Sequence, residues 1–351
     1  MIGLTTYRDY FAVTGRSSKF ECLYQYVNNI QEFLGEPVEV VPTSIIGKGK
    51  GTYDKYDRII VFEHPTSLLQ KENSGFTTPN IEMHFLQLEK LIGYQGEVLS
   101  YDAEKQDFDL WIKRIDHRRR NPKTAALNIA TDEEFRTFFN RILSKSITKE
   151  VNEFRHSRPN WIVGDSHAPM LWKPGTTTYA LPSRTLYRSL NEGLGASILD
   201  GDHLQSLTFC FGNIDLRHHL ARQDDPKAAT KKLAEEYIKQ AESFDCQISV
   251  CELLPVIDQD QLVTRSYFYK GEPHFGTVKQ RVELRDIFNE TLHSQAKKVK
   301  VLKVPDIIFR EDGLMNKDAL EKTKGGIHIS PCFYEQAAST NVVTPEYAWV
   351  P

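Results

Sequence analysis

Cysteine is scarce in this sequence and never spaced for chemistry. The five cysteines (Cys22, Cys210, Cys246, Cys251 and Cys332) are odd in number and scattered. They form no Cys-x-x-Cys pair and no metal-ligand spacing, which excludes a disulfide framework and favours buried, reduced thiols in a cytosolic protein. Long apolar runs are also missing: no stretch approaches the roughly 18 residues of a membrane span. The opening residues, Met1 to Tyr7, carry no charged leader, so the expectation is a soluble, cytoplasmic protein without membrane contact. Neither sign of charge is in excess. With 44 Lys and Arg against 47 Asp and Glu, the formal net charge is -3, and no global field draws the chain to nucleic acid or membrane. There is no sequence repeat.

What is present is an ordinary globular composition. Hydrophobic residues make up 40% and charged residues 26% of 351 residues, enough to bury a sizeable core and long enough for two domains. Residues 1–125 read as a Rossmann-like α/β domain, with strands at Ile2 to Thr5, Pro37 to Pro42, Arg58 to Phe62 and Glu97 to Ser100. Helical spacing of apolar residues runs from Phe20 to Phe33 and from Ile81 to Leu91. Residues 126–158 read as a helical connector, in which Thr131 to Glu134 has capping-box spacing ahead of Phe135, Phe138, Phe139 and Ile142.

Residues 159–351 repeat the alternation. Strands at Trp161 to Gly164, Leu207 to Phe211, Cys246 to Cys251 and Val299 to Val304 are interleaved with helices at Leu186 to Leu194, after Asp225-Pro226, and at Val278 to His293. Asp225 as N-cap with Pro226 at the first helical position is a clean start signal. Such alternation predicts an α/β fold of two three-layer α/β/α units, each around a parallel sheet.

The stretch Trp161-Ile-Val-Gly-Asp-Ser-His167 organises the second unit. A run of β-formers broken by Gly164 and small polar residues predicts a buried strand ending in a tight turn, with Ser166 at its carboxyl edge. Ligands of open α/β sheets gather there, and a serine so placed attacks an acyl carbon if a base takes its proton and donors hold the oxyanion. Gly-Asp-Ser alone is also what any turn uses.

Two later blocks add to it: Leu207-Thr-Phe-Cys-Phe-Gly-Asn-Ile-Asp-Leu-Arg217, followed by His218 and His219, and Gly325-Gly-Ile-His328-Ile-Ser-Pro331. Together with the glycine at Gly175, their order resembles the SGNH (GDSL-like) hydrolase family over about the last 190 residues. The resemblance implies Ser166 as nucleophile, His328 as general base, and an oxyanion hole from the Ser166 N–H, the Gly175 N–H and the Asn213 side chain. It implies no cofactor and no metal.

Position 325 is glycine where that family's late block has an acid, so support for His328 falls to a backbone carbonyl or an acid elsewhere. Asp165 reads first as a cap for the turn backbone, with the triad acid as a secondary role. Asn213 stands one residue early in its block and reaches the oxyanion only if the chain has already turned. Asp215 and Arg217 would brace the site or touch the substrate, with His167 as a packing or hydrogen-bonding neighbour.

The function so implied is a serine esterase or O-acyltransferase acting on a small molecule, a carbohydrate or another hydroxylated polymer. Two alternatives stand beside it. Tyr53 to Phe62 looks like a segment of two-Rossmann phage DNA glucosyltransferases, which would imply a nucleotide-sugar donor. A module that kept the fold and lost the chemistry would bind glycan or nucleic acid through Arg217 or through the basic cluster Arg118, Arg119 and Arg120, a possible polyanion contact beside Trp111. Gly47-Lys-Gly-Lys-Gly51 lacks Walker spacing and reads as a surface loop rather than a phosphate cradle. The adjacent His218 and His219 are poor metal ligands, because neighbouring side chains rarely point at one ion.

Overall fold

Strands of three to five residues, bounded by turns and helices, build two parallel sheets. The computed structural model describes residues 1–6, 21–41, 53–62, 91–101, 131–181, 184–197, 203–258, 274–320 and 327–329. The described residues divide into two compact units, the first holding 1–6 and 27–154 and the second holding 21–26 and those from 155 on.

In the first unit β1 (Ile2–Thr6), α1 (Glu21–Leu34), β2 (Val38–Val41), β3 (Arg58–Phe62) and β4 (Glu97–Tyr101) give a four-stranded sheet of order β2-β1-β3-β4. All its pairings are parallel, with Ile2 opposite both Val38 and Arg58, and Arg58 opposite Glu97. Ile59, Ile60, Val61 and Phe62 are all buried, the continuous apolar pattern of a strand covered on both faces. After β4 comes α2 (Asp132–Leu143), which starts at the expected capping box: Thr131 and Glu134 each satisfy the other's backbone N–H. The Ser100 hydroxyl donates to the Ile142 carbonyl at 2.8 Å and so ties the end of α2 to β4. The helix α3 (Thr148–Ser157) follows. The loop at Gly47 to Gly51, the Arg118 to Arg120 cluster and all but the last residue of the helix expected at Ile81 to Leu91 lie outside the described residues.

The second unit holds β5 (Asn160–Gly164), β6 (Thr176–Ala180), α4 (Leu186–Glu192), β7 (Ser206–Cys210), α5 (Asn213–His218), α6 (Pro226–Ala241), β8 (Gln247–Cys251), α7 (Val278–Gln295) and β9 (Lys300–Leu302). Its sheet runs β6-β5-β7-β8-β9, parallel throughout. The connection from β5 goes to one side and the later strands add on the other, so the strand order reverses between β5 and β7. In open α/β sheets that switch point leaves a crevice at the carboxyl ends of the two strands. Trp161, Val163, Phe209 and Val250 pack with Tyr237 of α6 and Leu284, Phe288 and Leu292 of α7 into the main core. As expected, α6 opens with Asp225 capping Ala228 N–H and Pro226 in the first turn. No helix among the described residues is long and apolar enough to cross a membrane.

Candidate active site

Gly164 closes β5 where nothing larger fits. A Cβ there would stand 2.2 Å from the Cys210 carbonyl oxygen and 2.9 Å from Ala168 Cβ, so only glycine lets β5 approach the end of β7 this closely. Beyond it the Asp165 N–H donates to the Cys210 carbonyl (2.9 Å) and Ala168 N–H to the Asp165 carbonyl (3.1 Å). This tight turn places Ser166 just past the strand, 7% exposed. The Ser166 backbone N–H makes no hydrogen bond among the described residues.

His328 arrives from 162 residues away. Its loop is pinned by a bridge between Leu320 and Ile329, and its Nε2 lies 2.7 Å from Ser166 Oγ with both groups buried. At that separation the hydroxyl donates to an unprotonated Nε2, the starting arrangement for proton removal. Gly325 lies outside the described residues.

Asp165 is not the acid behind His328. Its Oδ1 accepts from the His167 backbone N–H (2.9 Å) and faces His167 Nδ1 (2.9 Å), while Oδ2 is buried with no partner. Burial works against the carboxylate's charge, but His167 and then Arg217 outweigh it and hold the group below its usual range. The physical reason is local: a side chain at the first turn position folds back onto the N–H two residues on, and cannot also reach a ring bound to its neighbour.

His167 links two loops. Its Nδ1 meets Asp165, its Nε2 faces the Ile327 carbonyl at 3.2 Å, and its ring lies 4.8 Å from that of His328. Burial pulls its pKa below the ordinary value against the opposing pull of Asp165. The ring therefore links the His328 loop to the turn that carries Ser166.

Asn213, Asp215 and Arg217 share α5. Gly212, at φ +105°, turns the chain out of β7 at once, so Asn213 begins the helix at the switch point instead of pointing back into the strand. The Leu254 N–H donates to Asn213 Oδ1 at 2.9 Å, which fixes the amide. Its Nδ2 is left buried and without a partner. Asp215 braces the start of a neighbouring helix. It accepts from Leu186 N–H (2.6 Å) and Tyr187 N–H (3.1 Å) at the start of α4, a carboxylate at a helix N-terminus. Burial nonetheless pushes it up to about 6, against those two bonds.

The Arg217 guanidinium is buried and makes no side-chain hydrogen bond among the described residues. Desolvation lowers its pKa to about 10, with Asp165 and Asp215 opposing.

Gly175 is a correction. It stands ahead of β6, whose Thr176 pairs with Asn160 at the start of β5. That is the amino edge of the sheet, roughly 13 Å of strand from Gly164 at ~3.3 Å per residue, so its N–H serves no oxyanion at Ser166. Its φ of +82° answers a turn. Two residues the sequence reading missed, His274 and Arg281, lie at the carboxyl end instead and line one cavity with His167, Asn213 and Arg217. Arg281 falls on the buried face of α7 with Leu284 and Phe288, and a charge at core spacing was the available signal. The His218 and His219 rings lie 6.4 Å apart at 73°, and no group of three or more His, Cys, Asp or Glu among the described residues could hold a metal ion.

No protein-family model matches the chain, and no curated protein does. Among solved structures, a provisionally assigned platelet activating factor from Streptococcus pneumonia is 16% identical, with 60% of this chain and 97% of that one covered at a TM-score of 0.38. A provisionally assigned lipolytic protein of the G-D-S-L family from Desulfitobacterium hafniense is 16% identical (52% and 97% covered, TM-score 0.35). A provisionally assigned acylhydrolase from Bacteroides fragilis is 12% identical (52% and 82% covered, TM-score 0.36). At this divergence the role of each residue rests on the chain's own geometry.

Proposed function

We propose that this chain is a serine esterase or O-acyltransferase of the SGNH type, working through an acyl-enzyme on Ser166. The observation that carries the reading is the 2.7 Å contact of His328 Nε2 with Ser166 Oγ, made between two segments far apart in sequence at the switch point of a parallel sheet. His328 takes the hydroxyl proton as Oγ bonds to the acyl carbon of an ester. The carbonyl electron pair moves to oxygen, where the Ser166 N–H and Asn213 Nδ2 are the available donors. The carbon–oxygen bond to the alcohol then breaks and His328 returns the proton to the leaving oxygen. Water, or the hydroxyl of a carbohydrate or other polymer, reverses the sequence and frees the serine.

The test is hydrolysis of 4-nitrophenyl acetate by the full chain. Ser166→Ala and His328→Ala should each lower kcat by about a thousandfold or more, with the far-ultraviolet circular dichroism unchanged. Equal rates in the parent and in Ser166→Ala would refute the reading.

A further inference from the structure

Beside the serine and histidine lies a small cavity whose lining includes two guanidinium groups and an amide donor. His167 and Ile327, the immediate chain neighbours of Ser166 and His328, form part of it; Asn213, Arg217, His274 and Arg281 add polar side chains, and no carboxylate among the described residues lines it. Arg281 is fully buried. One of its Nη atoms donates to the Gly276 carbonyl at 2.8 Å, while Nε and Nη2 have no partner. Arg217 is 8% exposed with its guanidinium unbonded among the described residues, and the buried His274 Nδ1 and Asn213 Nδ2 are likewise unpartnered.

Native interiors rarely leave so many donors unmet, because each costs about 1–3 kcal/mol when desolvated without a partner. Of the two nearby carboxylates, Asp215 is engaged at the start of α4 and Asp165 bonds His167 through Oδ1, and neither makes a hydrogen bond to Arg217 or Arg281. Electrostatic balance from a distance does not supply the missing acceptors.

We propose that this cavity is a recognition pocket for an oxyanion, a carboxylate or phosphate carried by the substrate a few atoms from the ester that Ser166 attacks. Two guanidiniums converging with an amide and an imidazole suit the fork geometry of such a group. A metal ion or an ammonium would meet the like charge of two guanidinium groups. The cavity is about 20 Å³, room for a water-sized group, so it admits the oxygens of an anionic head and leaves the rest of the ligand outside. This rests on the esterase reading of Ser166 for its account of why the pocket lies there, and the anion binding itself is separable.

Two measurements test it. The first compares kcat/KM for mono-4-nitrophenyl glutarate with that for 4-nitrophenyl butyrate. The charged ester should be preferred by about ten- to hundredfold, the worth of one or two charge-assisted hydrogen bonds, and the ratio should collapse towards one in Arg281→Met and Arg217→Met. The second follows the melting temperature of Ser166→Ala with inorganic phosphate, glutarate or chloride at matched ionic strength. Stabilisation by phosphate or glutarate beyond chloride, lost in the double variant Ser166→Ala/Arg217→Met, supports the pocket, and the more effective anion identifies the head group. If neither ester is cleaved but the anions still stabilise Ser166→Ala, the pocket stands and the esterase reading fails. If both esters are cleaved at equal rates and phosphate and glutarate do no more than chloride, the pocket proposal is overturned while the esterase reading survives.

Discussion

Lowering the pH from 7 to 5 should destabilise the second unit by about 2–3 kcal/mol, chiefly through two buried histidines. His274 is pushed down to about 2 by burial first, then by Arg217, Arg281 and His218. His218 is pushed to about 3 by burial, then by Arg217, His219, Arg222 and Arg281. The two rings face each other at 5.8 Å. For a histidine whose folded pKa is depressed, the unfolded chain binds the proton more readily. Stability is then full above the ordinary pKa of about 6.5 and declines as pH falls through the window down to the folded value.

At pH 5 each ring that must stay neutral costs about 2 kcal/mol, or ~4 kcal/mol for both. Asp215 works the other way. Its folded pKa, raised to about 6, gives a contribution that is lost as pH rises through that value, so acidification regains about 1 kcal/mol. Urea unfolding followed by tryptophan fluorescence at pH 7 and pH 5 measures the sum, since Trp161 and Trp172 are buried in this unit. His274→Gln should shrink the acid loss by about 2 kcal/mol. A parent protein as stable at pH 5 as at pH 7, or a His274→Gln variant that loses as much as the parent, would show that these rings are not held neutral by the fold.

Other expectations concern the site directly. Asn213→Ala should lower kcat on 4-nitrophenyl acetate about a hundredfold, as removal of one oxyanion donor does elsewhere, with KM little changed; a rate within a factor of about two of the parent would remove Asn213 from the hole. His167→Ala takes away the ring between Asp165 and the Ile327 loop, and loss of alignment of the base should lower kcat by up to about a hundredfold; steady-state kinetics checks this. Gly175→Ala should cost about 1 kcal/mol for its positive φ and leave kcat intact, readable from a urea midpoint beside an activity assay. A collapse of kcat with stability preserved would return Gly175 to the chemistry.

The parts of this molecule legible in the sequence are those set by neighbours along the chain. The strand-to-turn break at Gly164, the capping box at Thr131 and the Asp225-Pro226 helix start are local signals, and each is found where it was expected. Alternating strands and helices likewise indicated parallel sheets. Gly175 misled because motif spacing does not say at which end of a strand a glycine falls; only the pairing of Thr176 with Asn160 does. Asp165, read first as a cap for the turn and only second as a triad acid, closes on the His167 N–H and ring. Arg281 was hidden on an apolar helix face, and its nearness to Arg217 depends on how α7 packs beside α5. The reach of Asn213 likewise depended on the left-handed Gly212, a conformation that composition does not reveal.

The most direct measurement of the central claim is peptide mass mapping after the full chain reacts with a fluorophosphonate at neutral pH. The account predicts one adduct, on the peptide carrying Ser166, formed quickly in the parent and slowed strongly in His328→Ala. An adduct on a different residue, or none on Ser166 under conditions that label an active serine esterase control, would contradict it.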